Sequence, residues 1–414
     1  MSARPASRTE FLAETARLLW PSPGAVTTGR AGANGSHAAG SRVVSEFLAL
    51  PDLAHARLLL PLRARRAAAA VAHRYAEPWS PVRRMRARAM SLALASGAAE
   101  LLLRDRVTVA APAGANDTFD SIETLLAGVV GRPVAVGLYV TRPRANRKPL
   151  LQVLTEDGVL VAFTKVGVDD FTRTLVTNEA QAVRMVGREP RRSFTVPDVL
   201  DLRTWHGLEV LTLSALPVHE RRATLDPGRL AVVAAEIAAT AGIELAVPAW
   251  SAYVQRLRDR LGMLPAGAGH RLATAVDGIL DAHGTAPLPF AAWHGDLTPW
   301  NMATLRDTVL VWDWERYETG VPLGFDLVHH HVQQHLLAPG ADVGALVRQL
   351  PRRTSAALGS VGLDLREATT CAALYLVDIA ARYVHDRQDE VGAMATVLPA
   401  MLDAIGDLGA AVRE

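Results

Sequence analysis

Two apolar runs in the second half of the chain each end on polar residues, and together they restrict the fold more than any other feature. Pro287-Leu288-Pro289-Phe290-Ala291-Ala292-Trp293 leads into His294-Gly295-Asp296-Leu297-Thr298-Pro299-Trp300-Asn301. After turns punctuated by Pro299 and Arg306-Asp307, the run Thr308-Val309-Leu310-Val311-Trp312 reads as a short buried strand that delivers Asp313, with Trp314-Glu315 behind it. Such a chain must hold Asp296, Asn301 and Asp313 on a rigid platform near strand ends. The residue types suit phosphate and magnesium. A carboxylate can orient a hydroxyl and take its proton, while a second carboxylate and an amide oxygen are the hard ligands that Mg²⁺ prefers. Asp296 fits the first role, Asn301 and Asp313 the second.

The run resembles the catalytic and metal-binding segments of the aminoglycoside phosphotransferase and choline kinase superfamily, the small-molecule relatives of protein kinases. That pattern is His-Gly-Asp, four residues, Asn, then a hydrophobic strand ending in Asp and often followed by Glu, and this chain carries it from His294 to Glu315. The resemblance makes Asp296 the catalytic base, Asn301 and Asp313 the Mg²⁺ ligands, and His294 and Glu315 supporting residues. It makes Asp326, in Gly324-Phe325-Asp326-Leu327, a buried acid that braces the loop from the next helix. It implies an α+β, protein-kinase-like two-lobe fold, with a small antiparallel-sheet lobe and a mostly helical lobe.

Composition adds a second signal. Of 44 basic residues only Lys148 and Lys165 are lysine. Lys165 closes the strand-like run Val159-Leu160-Val161-Ala162-Phe163-Thr164, after the turn Glu156-Asp157-Gly158. A compact ammonium there can contact nucleotide phosphates where a broad guanidinium would not fit. Glu179, in a helical stretch over 171–186, stands where kinases place the glutamate that pairs with this lysine. Upstream, 134–140 and 150–154 read as a hairpin whose loop, 141–149, carries four basic residues in the place of a phosphate-covering loop, without a Gly-x-Gly-x-x-Gly run. Residues 195–200 and 208–213 read as the last two strands of the small lobe, joined through Arg203-Thr204-Trp205-His206-Gly207; Ser214-Ala215-Leu216-Pro217 follows as the hinge.

Length sets the organisation. At 414 residues, half of them hydrophobic, the chain has room for two or three packed units. The expected division is 1–110, an Arg-rich N-terminal cap region; 111–214, the small nucleotide-binding lobe; and 215–414, the helical catalytic and substrate-binding lobe. No apolar run approaches the roughly 20 residues of a spanning helix. The opening Met1-Ser2-Ala3-Arg4-Pro5 does not lead into a signal-peptide core, and one cysteine, Cys371, cannot make an internal disulfide. A cytoplasmic setting without a membrane partner is the expectation.

Charge is uneven along the chain: +9 over 1–110, balanced over 111–293, and −7 over 294–414. In the acidic tail, Glu315, Glu318, Asp378, Asp386, Asp389 and Glu390 are candidates for meeting a hydroxylated or amine-bearing acceptor. Glu318 and Asp378 stand out as substrate candidates, although Asp378 with Arg382 four residues on also suits a structural ion pair. In the basic head, 24–40 reads as a loop, 42–50 and 55–62 as paired strands, and 65–75 and 80–103 as helices with arginine clusters at Arg63, Arg65, Arg66 and at Arg83, Arg84, Arg86, Arg88. No aromatic residues interleave with these arginines, so a solvated helical cap is favoured over a nucleic-acid surface.

His329-His330-His331 with His335 offers a histidine pair at metal-ligand spacing, but no zinc-protease glutamate stands between them. A helix leaving the core with one histidine near the substrate is the favoured reading. Two functional classes follow. One is an O-phosphotransferase that uses ATP or GTP with Mg²⁺ to phosphorylate a hydroxyl of a sugar, aminosugar or aminoglycoside-like compound. The other is a kinase-like binding or scaffold protein without turnover, against which the intact set of Lys165, Asp296, Asn301 and Asp313 argues. Protein phosphorylation under activation-loop control is disfavoured by Gly295, which stands where such kinases carry arginine, and by the lack of an Ala-Pro-Glu after Asp313.

Overall fold

In the computed structural model of the chain, residues 8–31, 41–75, 81–112, 119–140, 147–190, 193–218, 220–336, 338, 340–388 and 394–411 are described. The backbone packs into two compact units. The first comprises residues 1–142, 147–176 and 199–215, and the second 143–146, 177–198 and 216–414. The class is α+β, as the sequence leads one to expect.

The first unit is built on one nine-stranded sheet. Its strands are β1 (Ala25–Arg30), β2 (Ser41–Leu50), β3 (Leu58–Pro61), β4 (Asp105–Pro112), β5 (Ala135–Tyr139), β6 (Leu150–Leu154), β7 (Leu160–Gly167), β9 (Val199–Trp205) and β10 (Leu208–Ser214), in the spatial order β1-β4-β2-β3-β5-β6-β7-β10-β9. Every neighbouring pair is antiparallel. Because side chains alternate across a strand, neighbours go to opposite faces. Phe47, Leu59 and Val107 join Leu12, Leu19 and Trp20 of α1 (Arg8–Leu19) and its C-terminal end, with Ile122 and Leu126 of α5 (Ile122–Val130), in one core. Leu48, Leu58 and Leu60 face the other way, onto Ala67, Ala68 and Val71 of α2 (Arg65–Tyr75) and Leu94 of α3 (Pro81–Ser96).

The structure revises three local expectations. Residues 25–30 are not loop: the β-branched run Val26-Thr27-Thr28 suits an extended edge, and β1 pairs with β4. Residues 32–40 of that stretch lie outside the described residues. The helix expected over 80–103 breaks into α3 and α4 (Ala99–Leu102), because Gly97 adopts a left-handed φ of 83° between them. The strand expected at 195–200 is displaced to β9, which runs on through Trp205, and the connection shrinks to His206-Gly207, both at positive φ, which gives the two-residue hairpin its twist. The helix expected over 171–186 is present as α6 (Asp170–Arg188), with Asp169 accepting from the Thr172 amide at 2.8 Å.

The second unit carries helices α7 (Pro227–Ala239), α8 (Ala252–Gly262), α9 (Ala266–His283), α10 (Phe325–Leu336), α11 (Val343–Gly359), α12 (Leu365–His385) and α13 (Met394–Ala411). Two three-stranded sheets accompany them. In one, β12 (Leu288–Trp293) is central between β11 (Glu244–Ala246) and β15 (Glu318–Pro322); in the other, β14 (Val309–Val311) lies between β13 (Met302–Thr304) and β8 (Phe194–Thr195). Asp226 caps α7 with Pro227 at its first turn, and Asp364 and Glu367 form a capping box on α12. The core between β12, α10 and α12 is aromatic. Trp293 meets Phe325 edge-on at 5.3 Å, and Phe325 meets Tyr375 at 5.5 Å. Edge-to-face pairs of this kind add about 1 kcal/mol each beyond area burial, and they hold the strand end from which His294 departs.

Candidate active site

Beyond Trp293 the chain leaves β12 through a loop that has almost no freedom. His294 is fully buried, and Gly295 takes a φ of 82° that side-chain-bearing residues avoid. A Cβ on Gly295 would lie 2.1 Å from the Arg316 carbonyl oxygen. Asp326, in the first turn of α10, accepts the His294 amide on Oδ2 (2.8 Å) and the Gly295 amide on Oδ1 (3.2 Å). The Asp296 amide donates to His294 Nδ1 at 3.1 Å, so the neutral ring carries its proton on Nε2 and donates to the Trp312 carbonyl, also at 3.1 Å. That bond ties the loop to the residue before Asp313. A second tie runs between backbones, from the Trp312 amide to the Asn301 carbonyl at 3.1 Å.

Asn301 turns its side chain back on Asp296. Its Nδ2 donates to the Asp296 carbonyl at 3.0 Å and to Asp296 Oδ2 at 2.8 Å. The amide nitrogen is thereby committed, which leaves the amide oxygen as the group able to serve a cation.

Asp313 follows β14 with φ 70° and ψ 54°, a left-handed conformation uncommon for aspartate outside turns and functional sites. Carboxylate oxygens of Asp313, Glu315 and Glu179 all lie within 4.8 Å of one another, and Glu179 and Glu315 are buried. Three such carboxylates are a hard-oxygen set that fits a divalent cation. Glu179 thus sits with the metal-side acids, a grouping that its expected partnership with Lys165 does not foretell. Lys165 itself lies on β7 of the sheet unit, opposite Leu150 on one side and Leu211 on the other.

Burial and hydrogen bonding compete at the loop's supports. Burial pushes His294 down to about 4, against the pull of Asp296 and Asp313. Burial also raises Asp326 from 3.8 to about 7, against the two amides that favour its charge. The raised value means that the folded state keeps a proton the unfolded chain has released. Asp326 then contributes stability at low pH that is lost as pH rises through about 7. Relative to the wild type, Asp326→Asn is expected to gain in urea midpoint between pH 4 and pH 7. A variant that loses ground over that interval would show that the amides outweigh burial.

Three residues of the site escape a reading of motifs. His329 Nε2 lies 2.9 Å from Asp296 Oδ1, and its Nδ1 lies 2.8 Å from the Tyr375 hydroxyl. Arg382 on α12 donates to the Gly295 carbonyl at 2.8 Å and rests over the Trp293 ring, 4.9 Å from its centroid. A signal for His329 does exist in the sequence: it stands three residues after Asp326, on the same helix face. Within the histidine run, His329 and His330 hold both ring nitrogens in protein contacts, whereas Nε2 of His331 and of His335 is buried without a hydrogen-bond partner. His330 Nδ1 is 3.0 Å from the Leu297 carbonyl and its Nε2 is 2.9 Å from Gln334, while His335 is 3.3 Å from Arg353.

The acidic tail is largely occupied with arginines. Asp378 is buried, and its Oδ2 accepts from Arg260 at 2.8 Å and from the Tyr253 hydroxyl at 2.9 Å, so the ion pair expected with Arg382 is made with Arg260 instead. Glu318 lies 3.5 Å from Arg260 and 3.6 Å from Arg256. Asp386 pairs with Arg316 and His385. Carboxylates this deep need cations beside them to offset the loss of water, so the tail's net charge is not that of an open acidic pocket. Asp389 and Glu390 lie outside the described residues, as do residues 141–146 of the basic loop and the side chains of Arg83 and Arg84.

No protein-family model matches the sequence, and no curated protein does either. Solved structures similar to the chain include an aminoglycoside phosphotransferase, APH(4)-Ia, in a ternary complex with ADP and hygromycin B, at 16% identity over 70% of this chain and 99% of that one, with a TM-score of 0.44. An amicoumacin kinase in complex with AMP-PNP, Ca²⁺ and Ami is 12% identical over 66% of this chain and 88% of that one, with a TM-score of 0.43. A choline/ethanolamine kinase family protein from Mesorhizobium loti is 16% identical over 70% and 95%, with a TM-score of 0.41. The proteins in these three structures are small-molecule kinases by description.

Proposed function

We propose that the chain is a Mg²⁺-dependent O-phosphotransferase that moves the terminal phosphoryl group of ATP or GTP to a hydroxyl of a small molecule, a sugar, aminosugar or aminoglycoside-like compound. The observation that carries this reading is the Asp296 carboxylate, held by Asn301 on one oxygen and His329 on the other while its side chain remains 32% exposed. The carboxylate is fixed on both oxygens and still accessible, as a base that meets a hydroxyl must be.

The chemistry follows from the placement. Asp296 accepts the hydrogen bond of the acceptor hydroxyl and takes its proton as the oxygen attacks the γ-phosphorus. The bond to the β,γ-bridging oxygen breaks, and the nucleoside diphosphate leaves with that electron pair. Asn301, through its amide oxygen, and Asp313 would hold Mg²⁺, with Glu179 and Glu315 beside Asp313. When bound, the ion supplies charge neutralisation for the donor phosphates. Lys165 is assigned to those phosphates as a point charge. His294, Asp326 and Arg382 hold the loop backbone without touching substrate. Since Glu318, Asp378 and Asp386 are already paired, the acceptor's hydroxyl groups matter more to this reading than a cationic charge.

No helix among the described residues is long and apolar enough to cross a membrane. A cytoplasmic setting, where nucleotide is abundant, fits the reading. The test is nucleoside-diphosphate release with Mg²⁺ over a panel of aminosugars, aminoglycosides, simple sugars and amino alcohols, with EDTA as the blank. Acceptor-dependent, EDTA-sensitive release is the expected result. Nucleotide binding with no turnover across the whole panel would favour the binding-protein class.

A further inference from the structure

We propose that His329 is the positioning residue of Asp296, the middle member of a relay in which the Tyr375 hydroxyl orients the imidazole and the imidazole orients the carboxylate. The inference deepens the kinase reading and rests on it for its kinetic consequence, though not for its structural one.

The direction of the relay follows from what each atom can do. An ionised carboxylate only accepts, so the 2.9 Å contact between His329 Nε2 and Asp296 Oδ1 requires the proton on Nε2. Burial disfavours the charged imidazole, so Nδ1 of the neutral ring is a bare lone pair and the Tyr375 hydroxyl 2.8 Å away donates to it. Both supporting groups are buried, His329 at 2% exposure and Tyr375 at 0%. Burial also raises the Tyr375 phenol well above its ordinary value, which keeps it protonated and a donor. The Trp293 and Phe325 rings pack edge-on to Tyr375, so the hydroxyl has a fixed address.

Asp296 does not need His329 for solvation, since its side chain reaches solvent. What a second donor adds is geometry. The carboxylate torsion of aspartate is broad, and the Asn301 bond on Oδ2 alone would let the plane swing about that point. One buried N–H on each oxygen fixes the plane at two points and leaves the remaining lone pairs for the acceptor hydroxyl. Asp326 and His329 divide the labour on α10: the first holds the loop's backbone, the second its reacting side chain.

The experiment uses the full chain with three substitutions and two readouts. His329→Leu is expected to lower kcat by about 100-fold with little change in nucleotide KM, as loss of a positioned base requires. His329→Gln, whose amide N–H reaches the same side of Asp296, is expected to recover to within roughly tenfold of wild type. Tyr375→Phe should fall between wild type and His329→Leu. Equal losses in His329→Leu and His329→Gln would overturn the proposal in favour of simple packing, and so would wild-type kcat in His329→Leu. The second readout does not need turnover. Long-range ¹⁵N–¹H correlation of the wild-type imidazole is expected to show a neutral ring protonated on Nε2, and a proton on Nδ1 would overturn the relay. If the wild type itself phosphorylates nothing on the panel, the kinase reading fails while the tautomer still decides the relay.

Discussion

Asp296→Asn is expected to lower kcat by about 1000-fold while leaving Mg²⁺-nucleotide affinity within roughly twofold. Asparagine keeps the size of the side chain but cannot take the acceptor's proton. It also mismatches its surroundings, because Asn301 Nδ2 donates to Asp296 Oδ2 and the His329 contact demands an acceptor at Oδ1. Whichever way an amide is turned at 296, its NH₂ faces a donor. Nucleotide affinity is spared, since the residues assigned to phosphate and cation are Lys165, Asn301 and Asp313. Steady-state kinetics on an acceptor that the wild type phosphorylates, together with titration calorimetry of nucleotide, checks both halves. Turnover within threefold of wild type would remove Asp296 from the role of base.

Gly295→Ala is the substitution with the largest expected structural cost. The φ of 82° alone costs an L-residue about 1–2 kcal/mol. The new Cβ would also press into the Arg316 carbonyl, which is backbone and cannot rotate aside. Adding overpacking brings the total to roughly 3 kcal/mol or more, and relief by moving the loop would pull the His294 and Gly295 amides off Asp326. Gly242→Ala is the control: its φ is 77°, but nothing lies within 4 Å of the added carbon. A lower urea midpoint for Gly295→Ala than for Gly242→Ala, with loss of turnover, is the expected pair of results. Equal midpoints would show that the loop yields without penalty. The same clash bears on kinase class, because an arginine in this position has no room for even its first carbon.

What could be read ahead of the structure was local. The five-residue step from Asp296 to Asn301 brings the amide onto the carboxylate, and the hydrophobic run before Asp313 is a strand because its residues are small in number, apolar and β-branched at two positions. Asp326 was legible through the family resemblance of the segment Gly324-Phe325-Asp326-Leu327. Contacts between distant segments were not. Asp378 finds Arg260, 118 residues away, in preference to the arginine one helical turn on, and no periodicity encodes that choice. Glu179 reads naturally as the partner of Lys165, and nothing in its sequence surroundings announces that its oxygens lie beside those of Asp313 and Glu315. Among four histidines close together, the three-residue step from Asp326 points to His329, and the contact with Tyr375 fixes its ring. The head was the hardest part, since pairing of β3 with β5 joins segments separated by some 75 residues, with helices α2 to α5 and strand β4 between them.

That pairing decides which strand forms the border of the sheet. Leu58 and Leu59 of β3 take the register of Tyr139 and Leu138, and the Val140 amide donates to the Arg57 carbonyl at 2.9 Å. Stripped of this partner, β5 would present Ala135-Val136-Gly137-Leu138-Tyr139 as a bare apolar border whose amides and carbonyls await any passing strand. The four N-terminal strands move the border outward to β1, where Thr27, Thr28 and Arg30 are polar and Gly29 weakens pairing. The Arg-rich head is thus a guard against sticking as well as a wall of the sheet, and shortening the chain from its start would trade a polar margin for an adhesive one.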